Sequence, residues 1–495
     1  MLSVILLYPT QLFKNINYKK YNHIILIEEP IYFTKYNFHK LKIAYTRACM
    51  KKYYNYLINK NLNVFYNEYN NINDNFYTNI KTKYDKVYVT SVHDHELENK
   101  LKTIFKTKLN ILDNINFLVS INELNDIKNI IFKNNNYNHS NFYKYMRKKY
   151  NILITKDNKY VGNKLSFDTE NRKKMPNNFN YVDIDRNINK TDKIYINEAI
   201  KYINKYFNNN PGYLNEDSII YPIDNKKSKI WFNNFLKNKL YNFGLYQDYI
   251  DKNDSFLLHS VITPMLNLGL ITDIEIINMT NNYYNKNKKK IKIQNYEGFI
   301  RQILGWRNYM YCIYMLEPDL INGNLLKNTN KLPYKFWYNV GMKPIDILIE
   351  RINKYSYLHH IERLMLLSVF MNMCFIHPKE ILKYFMEWSI DGYDYVMVTN
   401  LWLMGLYSSE KIFALKRPYI ASSNYIINMS NIKKDGIWDV LWDSLYYNFI
   451  NKNYNVLKNN YFTSRQVKHY DNKTNEQKKK YKNIATEYLN ILFNK

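Results

Sequence analysis

The stretch EGFIRQILGWRNYMYCIY, from Glu297 to Tyr314, decides the architecture of most of this chain. Its apolar side chains recur at alternating steps of four and three residues, which predicts one stripe of a helix facing a core: Phe299, Ile303, Trp306, Met310 and Ile313. Glu297, Arg301 and Asn308 share the opposite face, and Arg307 stands beside Trp306. Two interpretations of this polar face stay open, a solvated charged surface or a cationic surface that hydrogen-bonds a ligand.

Helical periodicity extends from about Tyr195 to the end of the chain, whereas the amino-terminal part alternates between two patterns. Short apolar runs predict strands at Ser3–Tyr8, His23–Glu28, Lys86–Thr90 and Asn116–Ser120. Helical stretches such as Phe38–Leu57 separate them. This alternation predicts an α/β domain with a doubly wound parallel sheet and a ligand crevice at the carboxyl ends of its strands. Neither a G-x-G-x-x-G motif nor a P-loop is present there, so an ordinary dinucleotide is not indicated.

The change of pattern divides the chain into three parts. We expect an α/β domain over residues 1–135, an interdomain linker over residues 136–194 and a large all-α domain over residues 195–495. The linker contains GNKLSFDTENRKKMP, from Gly162 to Pro176, a polar and cationic segment without apolar periodicity. An exposed connector and a direct contact with DNA are both compatible with that composition.

Composition indicates a globular protein with a polyanionic partner. The 495 residues are 46% hydrophobic and carry a formal net charge of +28, although abundant Lys, Asn, Tyr and Ile are also what an AT-rich genome produces. The three cysteines, Cys49, Cys312 and Cys374, are far apart, which favours a reduced intracellular protein. MLSVILLY at the amino terminus reads as a strand, and Leu364–Ile376 is too short to span a bilayer. We therefore expect a soluble, intracellular monomer that does not enter a membrane.

Two histidines begin a strongly apolar helical segment, YLHHIERLMLLSVF, from Tyr357 to Phe370. His359 and His360 lie within a turn of Arg363, and a histidine buried beside an arginine is costly enough to require a reason. Upstream, LLHSVITPMLNLGLI, from Leu257 to Ile271, predicts a loop and a helix start at which Ser260 and Thr263 would hold an anion. A capping sequence of this kind is common, so it indicates an anion site only together with the neighbouring motifs.

Together these motifs resemble the prokaryotic-type (6-4) photolyases, also called iron-sulfur bacterial cryptochromes and photolyases, a deoxyribodipyrimidine photolyase-related family. The resemblance is carried by the Glu297–Tyr314 helix, YQD at Tyr246–Asp248, the Leu257–Ile271 segment, HHIERLM, which is similar to the family's HHIQRLM, and DGYDYVMVTN at Asp391–Asn400. It implies a photolyase/cryptochrome-like fold with an all-α FAD-binding domain. It also implies light-driven repair of pyrimidine (6-4) pyrimidone lesions in UV-damaged DNA.

The resemblance further implies roles for individual residues. FAD-binding positions would be Tyr246, Gln247, His259, Ser260, Thr263, Asn267, Glu297, Arg301, Trp306, Arg307, Arg363, Asp391 and Asn400. The catalytic site would contain His359, His360, Leu364, Met404 and Tyr419, with His360 as the acid/base of the (6-4) reaction and the last three residues lining the lesion pocket. Asp391 could pair with Arg363.

The chain departs from the family at two places. A cubane cluster needs four thiolates, and Pro344, Lys433, Gly436 and Val440 occupy the usual ligand positions, so we expect neither an iron-sulfur cluster nor another metal site, with Trp438 and Trp442 filling the space. The resemblance also implies a light-harvesting antenna of the ribityl-lumazine type in the α/β domain. Gln11, Glu28, Glu29, His39 and Lys40 match that region, but Pro9, Thr10 and Thr46 stand where the family has Gly, Asp and His, so antenna binding stays open.

Three hypotheses for function remain. The first is a (6-4) photolyase, the second a cryptochrome-like blue-light photoreceptor that keeps FAD without repair, and the third a basic nucleic-acid-binding protein without a flavin. The HHIERLM histidine favours the first hypothesis.

Overall fold

The computed structural model describes residues 1–176, 179–183, 185–186, 188–409 and 419–494. Its amino-terminal part contains one parallel five-stranded sheet with the order β3-β2-β1-β4-β5. The strands are β1 Ser3–Leu7, β2 His23–Ile27, β3 Val64–Asn67, β4 Lys86–Thr90 and β5 Leu109–Leu112. The predicted doubly wound sheet is therefore confirmed, and the order reverses between β1 and β4.

Alternating side chains of the strands face two different cores. Ile5 and Leu7 of β1 pack in the core that includes the first helix, whereas Val4 and Leu6 pack with the helices on the other face. The helices of this part are α1 Lys40–Ile58, α2 Asp74–Lys83, α3 His95–Phe105, α4 Glu123–Asp126 and α5 His139–Lys149. Helices on both faces explain why the strands are nearly continuously apolar.

One predicted strand is wrong. Asn116–Ser120 forms no strand, and the fifth strand is Leu109–Leu112 instead. The apolar residues of the predicted run are buried, but side chains satisfy its backbone: Leu118 donates its N–H to Asn308 at 2.7 Å, and its carbonyl accepts from Tyr150 at 2.6 Å. A buried segment needs partners for its backbone groups, and these partners need not belong to a sheet.

The rest of the chain is helical, as predicted. The helices are α6 Lys193–Tyr206, α7 Asn225–Asn238, α8 Leu240–Tyr246, α9 Thr263–Asn267, α10 Asp273–Lys286, α11 Ile293–Ile300, α12 Asn308–Leu316, α13 Lys343–Tyr355, α14 Val369–Met373, α15 Pro378–Trp388, α16 Asp394–Asn400, α17 Ser423–Met429, α18 Trp438–Lys452, α19 Tyr454–Lys458, α20 Ser464–Asp471 and α21 Asn475–Phe493. Gly244 lies inside α8. A Cβ added there would come within 2.8 Å of the Gln294 carbonyl oxygen, so glycine lets α8 approach α11.

Three helical segments of the site region contain π-type turns, at Arg301–Arg307, Glu362–Ser368 and Leu401–Gly405. The first joins α11 to α12, so the stretch around which the sequence is organised is one long helix with a local insertion. Each π turn shifts the faces of the two flanking helices relative to each other. The residues on either side of Arg301–Arg307 therefore do not share the faces that a regular helix would give them.

Candidate functional site

Asp391 lies at the centre of the candidate site, between α15 and α16. Its buried carboxylate pairs with Arg363 at 2.8 Å and accepts hydrogen bonds from Ser389 at 2.6 Å and from the hydroxyl of Thr263. Burial would raise the pKa of Asp391, but the Arg363 charge and these hydrogen bonds outweigh it and hold the pKa below the usual value. Asp391 is therefore a fixed anion that orients Arg363.

The same network continues towards the central helix. Asn267 of α9 donates to the Asp391 carbonyl at 2.9 Å and accepts from Arg307 at 2.7 Å. Arg307 also pairs with Asp273 at 2.8 Å, at the start of α10. The structure thus links five of the sequence-predicted cofactor residues, Thr263, Asn267, Arg307, Arg363 and Asp391, in one connected set of hydrogen bonds.

His360 stands beside this network at the beginning of the segment that continues into α14. Its ring is exposed to solvent, although Leu358 and Ile361 on either side are buried. Burial among surrounding protein atoms, followed by the charges of Arg363 and Arg172, lowers the pKa of His360 to about 4. The ring is neutral at neutral pH in this environment.

His359 faces away from solvent and stacks on His259, with ring centroids 4.4 Å apart and an interplanar angle of 13°. The Nε2 atom of His259 and both ring nitrogens of His359 are buried and lack a hydrogen-bond partner among the described residues. Burial, followed by nearby positive charges, lowers the pKa of both histidines. The two adjacent histidines of HHIERLM therefore occupy different environments, and the second of them is the one open to a ligand.

A buried ion pair supports this histidine segment. Glu362 pairs with Arg351 of α13 and accepts from the backbone N–H of His359 at 3.1 Å. Burial raises the pKa of Glu362 to about 7, although Arg351 opposes the shift. Sequence analysis missed Arg351, Ser389 and Asp273, because each lies on a separate element and no local spacing connects it to its partner.

A second group of predicted residues lies towards the linker. Glu297 and Arg301 are both buried, so the solvated-surface interpretation of this face is wrong. Arg301 pairs with Asp168 at 2.5 Å and approaches Glu297 at 3.2 Å, while Glu297 accepts from Tyr143 of α5 at 2.9 Å. These contacts fasten the central helix to residues 143–168 and are separate from the hydrogen-bonded network of Asp391.

The remaining predicted residues are placed as follows. Trp306 is half-buried, and its ring stacks on the ring of His139 with centroids 3.7 Å apart. Gln247 accepts a hydrogen bond from Gln302 at 3.3 Å, and the ring of Tyr246 contacts that of Phe179. The Ser260 carbonyl accepts from Trp231 at 2.8 Å, and Asn400 donates to the Val396 carbonyl at 2.7 Å. Leu364 and Met404 are buried, Gly405 closes against Leu364 and Ser368, and Tyr419 is half-buried. α9 is a single short helix, and the Thr263 hydroxyl is directed to Asp391.

The segment from Lys433 to Trp442, which includes positions where the resemblance implies cluster ligands, contains two buried tryptophans. Trp438 and Trp442 are fully buried, and their indole nitrogens donate to the carbonyls of Lys433 at 3.0 Å and Ala421 at 2.9 Å. In the described part of the chain, no group of three or more His, Cys, Asp or Glu residues is arranged to hold a metal ion. None of the helices described there combines the length and apolarity that a membrane span requires.

Comparison with known proteins gives consistent similarities. Residues 5–218 match the family of deoxyribodipyrimidine photo-lyase-related proteins. A protein of Agrobacterium fabrum named (6-4) photolyase is 27% identical over 468 residues, which cover 90% of this chain and 89% of the relative. The crystal structure of a class III photolyase from Agrobacterium tumefaciens superposes with a TM-score of 0.58 at 11% identity, covering 100% of this chain and 98% of that chain. An archaeal photolyase from Sulfolobus tokodaii gives a TM-score of 0.50 at 12% identity, with 98% and 100% covered. The predicted fold class is thereby confirmed.

Proposed function

Because residues 5–218 match the family of deoxyribodipyrimidine photo-lyase-related proteins, we propose that this chain is a light-dependent DNA repair enzyme that reverses pyrimidine (6-4) pyrimidone lesions. Residues 195–495 would form the FAD-binding catalytic domain, residues 1–135 the α/β domain and residues 136–194 the linker. The relative named (6-4) photolyase, which this chain matches over most of its length, supports the choice of lesion.

One observation carries the proposal. Thr263, Asn267, Arg307, Arg363 and Asp391 come from four separate parts of the chain and join in one hydrogen-bonded network, beside the solvent-exposed ring of His360. A fixed carboxylate and two guanidinium groups beside a solvent-exposed histidine suit a ligand with phosphates and a hydrogen-bonding ring. His360 would exchange the proton at the same place.

The residues present fit FAD. Ser260, Thr263, Arg363 and Asn400 are partly open to solvent although apolar neighbours such as Ile262 and Leu364 are buried, which describes the wall of a cavity. The buried Nε2 atom of His259, without a partner among the described residues, can donate to or accept from a ligand there. The archaeal photolyase that shares this fold was solved with two FAD molecules. Reduced FAD, when bound and excited by blue light, would supply the electron that repair requires.

His360 would hold and return the proton that repair of this lesion needs. A group has migrated between the two bases of a (6-4) lesion, so a proton must be delivered for it to migrate back. Burial, followed by the charges of Arg363 and Arg172, lowers the pKa of His360 to about 4 in the protein alone. The phosphates of bound DNA and of the cofactor are anions, and anions raise the pKa of a nearby histidine. The charge of bound phosphates would therefore oppose the effect of burial and favour the protonated imidazole.

The DNA contact would be mainly electrostatic. The net charge of +28 favours phosphate contacts, which position a duplex without reading its sequence. A damaged base costs less to extrude from the stack than an intact one, so the lesion would enter the concavity preferentially. Leu364, Met404 and Tyr419 would line the pocket that receives it.

The test is repair of a defined oligonucleotide that contains one (6-4) lesion. Purified protein with reduced FAD should restore the intact dinucleotide under blue light and leave it unrepaired in the dark, while a matched cyclobutane-dimer oligonucleotide reports lesion preference. A flavin-containing protein that repairs neither lesion would support a cryptochrome-like photoreceptor instead. Protein without any flavin absorption would support a nonenzymatic nucleic-acid-binding protein.

A further inference from the structure

A small cavity lies where the strand order of the sheet reverses. The segments that follow β1 and β4 contribute Thr10, His93 and Asp94, α1 contributes Lys42 and Thr46, and the segment from Gly392 to Tyr395 closes the cavity from the helical part. In open parallel sheets this switch point is the usual place for a ligand. It is also the region in which the resemblance implies a light-harvesting chromophore.

The volume of the cavity does not fit such a chromophore. It measures about 20 Å³, which is room for roughly one water molecule. Pockets for cofactor-sized ligands have volumes of roughly 300–1,000 Å³. Tyr32, Phe38 and Tyr393 are among the side chains that occupy the space around it. Accommodating a ring system here would require several packed side chains to move at once.

Three of the residues by which the resemblance implies a chromophore site are already bound to other protein groups. Gln11 donates to the Thr90 carbonyl at 2.5 Å, Glu28 pairs with Arg47 at 2.6 Å, and the His39 ring contacts the Asn353 carbonyl at 3.1 Å. Side chains that bind a ligand by hydrogen bonds need unused donors or acceptors facing that ligand. These side chains are instead used to hold the α/β part together and to fasten it to the helical part.

Lys42 makes the most informative of these contacts. Its buried ammonium donates to the carbonyl of Met386 at 2.7 Å and to the carbonyl of Gly392 at 2.8 Å. The two acceptors bracket residues 387–391, so the lysine fixes both ends of the short segment that carries Asp391. The backbone N–H of His39 adds a hydrogen bond to the Glu387 carbonyl at 2.8 Å within that segment. The crevice wall thus holds the anion that orients Arg363.

We propose that the switch-point crevice of this protein binds no light-harvesting chromophore and serves instead as a joint, in which Lys42 positions Asp391 in the flavin site. The second half of this inference rests on the proposed function. FAD would then absorb the light directly, and the action spectrum of repair would follow the absorption of reduced flavin alone.

The first experiment titrates the purified wild-type protein with a ribityl-lumazine and follows the fluorescence of the compound. We expect no saturable quenching and no energy transfer to FAD, because the crevice has no space for the ring. Stoichiometric binding to the wild-type protein would overturn the first half of the inference. This measurement uses no variant and therefore does not depend on how well any variant folds.

The second experiment compares FAD affinity between wild type and Lys42→Met, which keeps the length of the side chain and removes its N–H donors. We expect FAD affinity to fall at least about tenfold, because the two hydrogen bonds from Nζ to the backbone around Asp391 are lost. Lys60→Met, an exposed position just beyond α1, is the matched control and should bind FAD like wild type. Unchanged affinity in Lys42→Met would overturn the positioning role.

A double variant separates positioning from general loss of structure. If Lys42 acts through Asp391, Lys42→Met/Asp391→Asn should bind FAD no more weakly than Asp391→Asn alone, whereas losses that simply add would contradict the inference. Far-UV circular dichroism checks the fold, and Lys42→Gln, which keeps one donor group, replaces Lys42→Met in the same cycle if the latter does not fold. Failure of the proposed function would be visible earlier, as wild-type protein that does not bind FAD.

Discussion

Replacing Arg351 with Met tests the buried ion pair under the two-histidine segment. Glu362 is fully buried, Arg351 nearly so, and Glu362 also binds the backbone N–H of His359. Burial raises the pKa of Glu362 from 4.5 to about 7 with Arg351 in place. Removing the cation removes the main influence that opposes this shift, so the pKa of Glu362 in the variant must rise further.

The sign of the effect follows from comparing folded and unfolded states. Between pH 4.5 and about 7 the folded wild-type protein holds a proton on Glu362 that the unfolded chain releases, so the stability contributed by this group falls as pH rises. Above pH 7 both states are ionised and this contribution becomes constant in wild type. In Arg351→Met the folded carboxyl stays protonated above pH 7, so its stability continues to fall by about 1.4 kcal/mol per pH unit.

The gap in unfolding free energy between wild type and Arg351→Met should therefore widen by up to roughly 2.8 kcal/mol between pH 7 and pH 9, just below the range of about 3–5 kcal/mol known for broken buried pairs. Thermal unfolding midpoints of both proteins, recorded at pH values below and above 7, measure this change. Lys343→Met, which breaks an exposed pair with Asp435, is the control and should lower the midpoint little and equally at each pH. A gap that does not depend on pH would refute the reasoning, and Arg351→Met/Glu362→Gln, which has no carboxyl to titrate, should abolish the widening.

Three further predictions concern the flavin site, the acid/base and the missing cluster. Asp391→Asn should weaken FAD binding by about 10- to 150-fold in a titration of apoprotein, since charge-assisted hydrogen bonds contribute roughly 1.5–3 kcal/mol, whereas Asp435→Asn on the surface should bind normally. His360→Ala should still bind FAD and the lesion, but its rate of (6-4) repair should fall by roughly 10²- to 10⁴-fold. Normal repair by His360→Ala, together with loss of repair in His359→Ala, would show that the wrong histidine was chosen. Metal analysis should find no iron-sulfur iron, and about four irons per chain would contradict the absence of a cluster. Trp438→Ala should lower the unfolding free energy by about 3–5 kcal/mol, because it leaves a cavity in the packed segment.

Local sequence patterns predicted the elements well where burial and periodicity agree. β1, β2, β4 and α1 lie within a residue or two of the positions expected from their apolar patterns. Val64–Asn67 was missed because it is an edge strand with an exposed Phe65, so its pattern lacks the continuous apolar character of the central strands. Asn116–Ser120 has that character but is buried by side-chain contacts outside the sheet. Apolar content reports burial, and only backbone pairing distinguishes a strand from a buried connection.

The central helix shows a different limit of sequence analysis. A regular period places Glu297, Arg301 and Asn308 on one face, but the π turn at Arg301–Arg307 changes the phase between them. Glu297 and Arg301 therefore contact Tyr143 and Asp168, whereas Asn308 donates to Asp273 of α10 at 2.8 Å. Arg307, at the end of the turn, reaches the network of Asp391 through Asn267. A π turn has no simple sequence signature, so the division of these polar residues between two sites could be found only in the structure.

The glutamate of HHIERLM illustrates how a motif and its surroundings must be considered together. The family that the sequence resembles has glutamine at this position, and glutamine could accept a hydrogen bond from the His359 N–H without any charge. A carboxylate placed there is fully buried and would be costly if left alone, because a buried charge needs a counterion. Arg351 supplies that counterion from α13, and Arg351 in turn donates to the Asp251 carbonyl. Glu362 and Arg351 therefore form one buried ion pair, which holds the backbone N–H of His359 while neutralising the charge beneath the histidines.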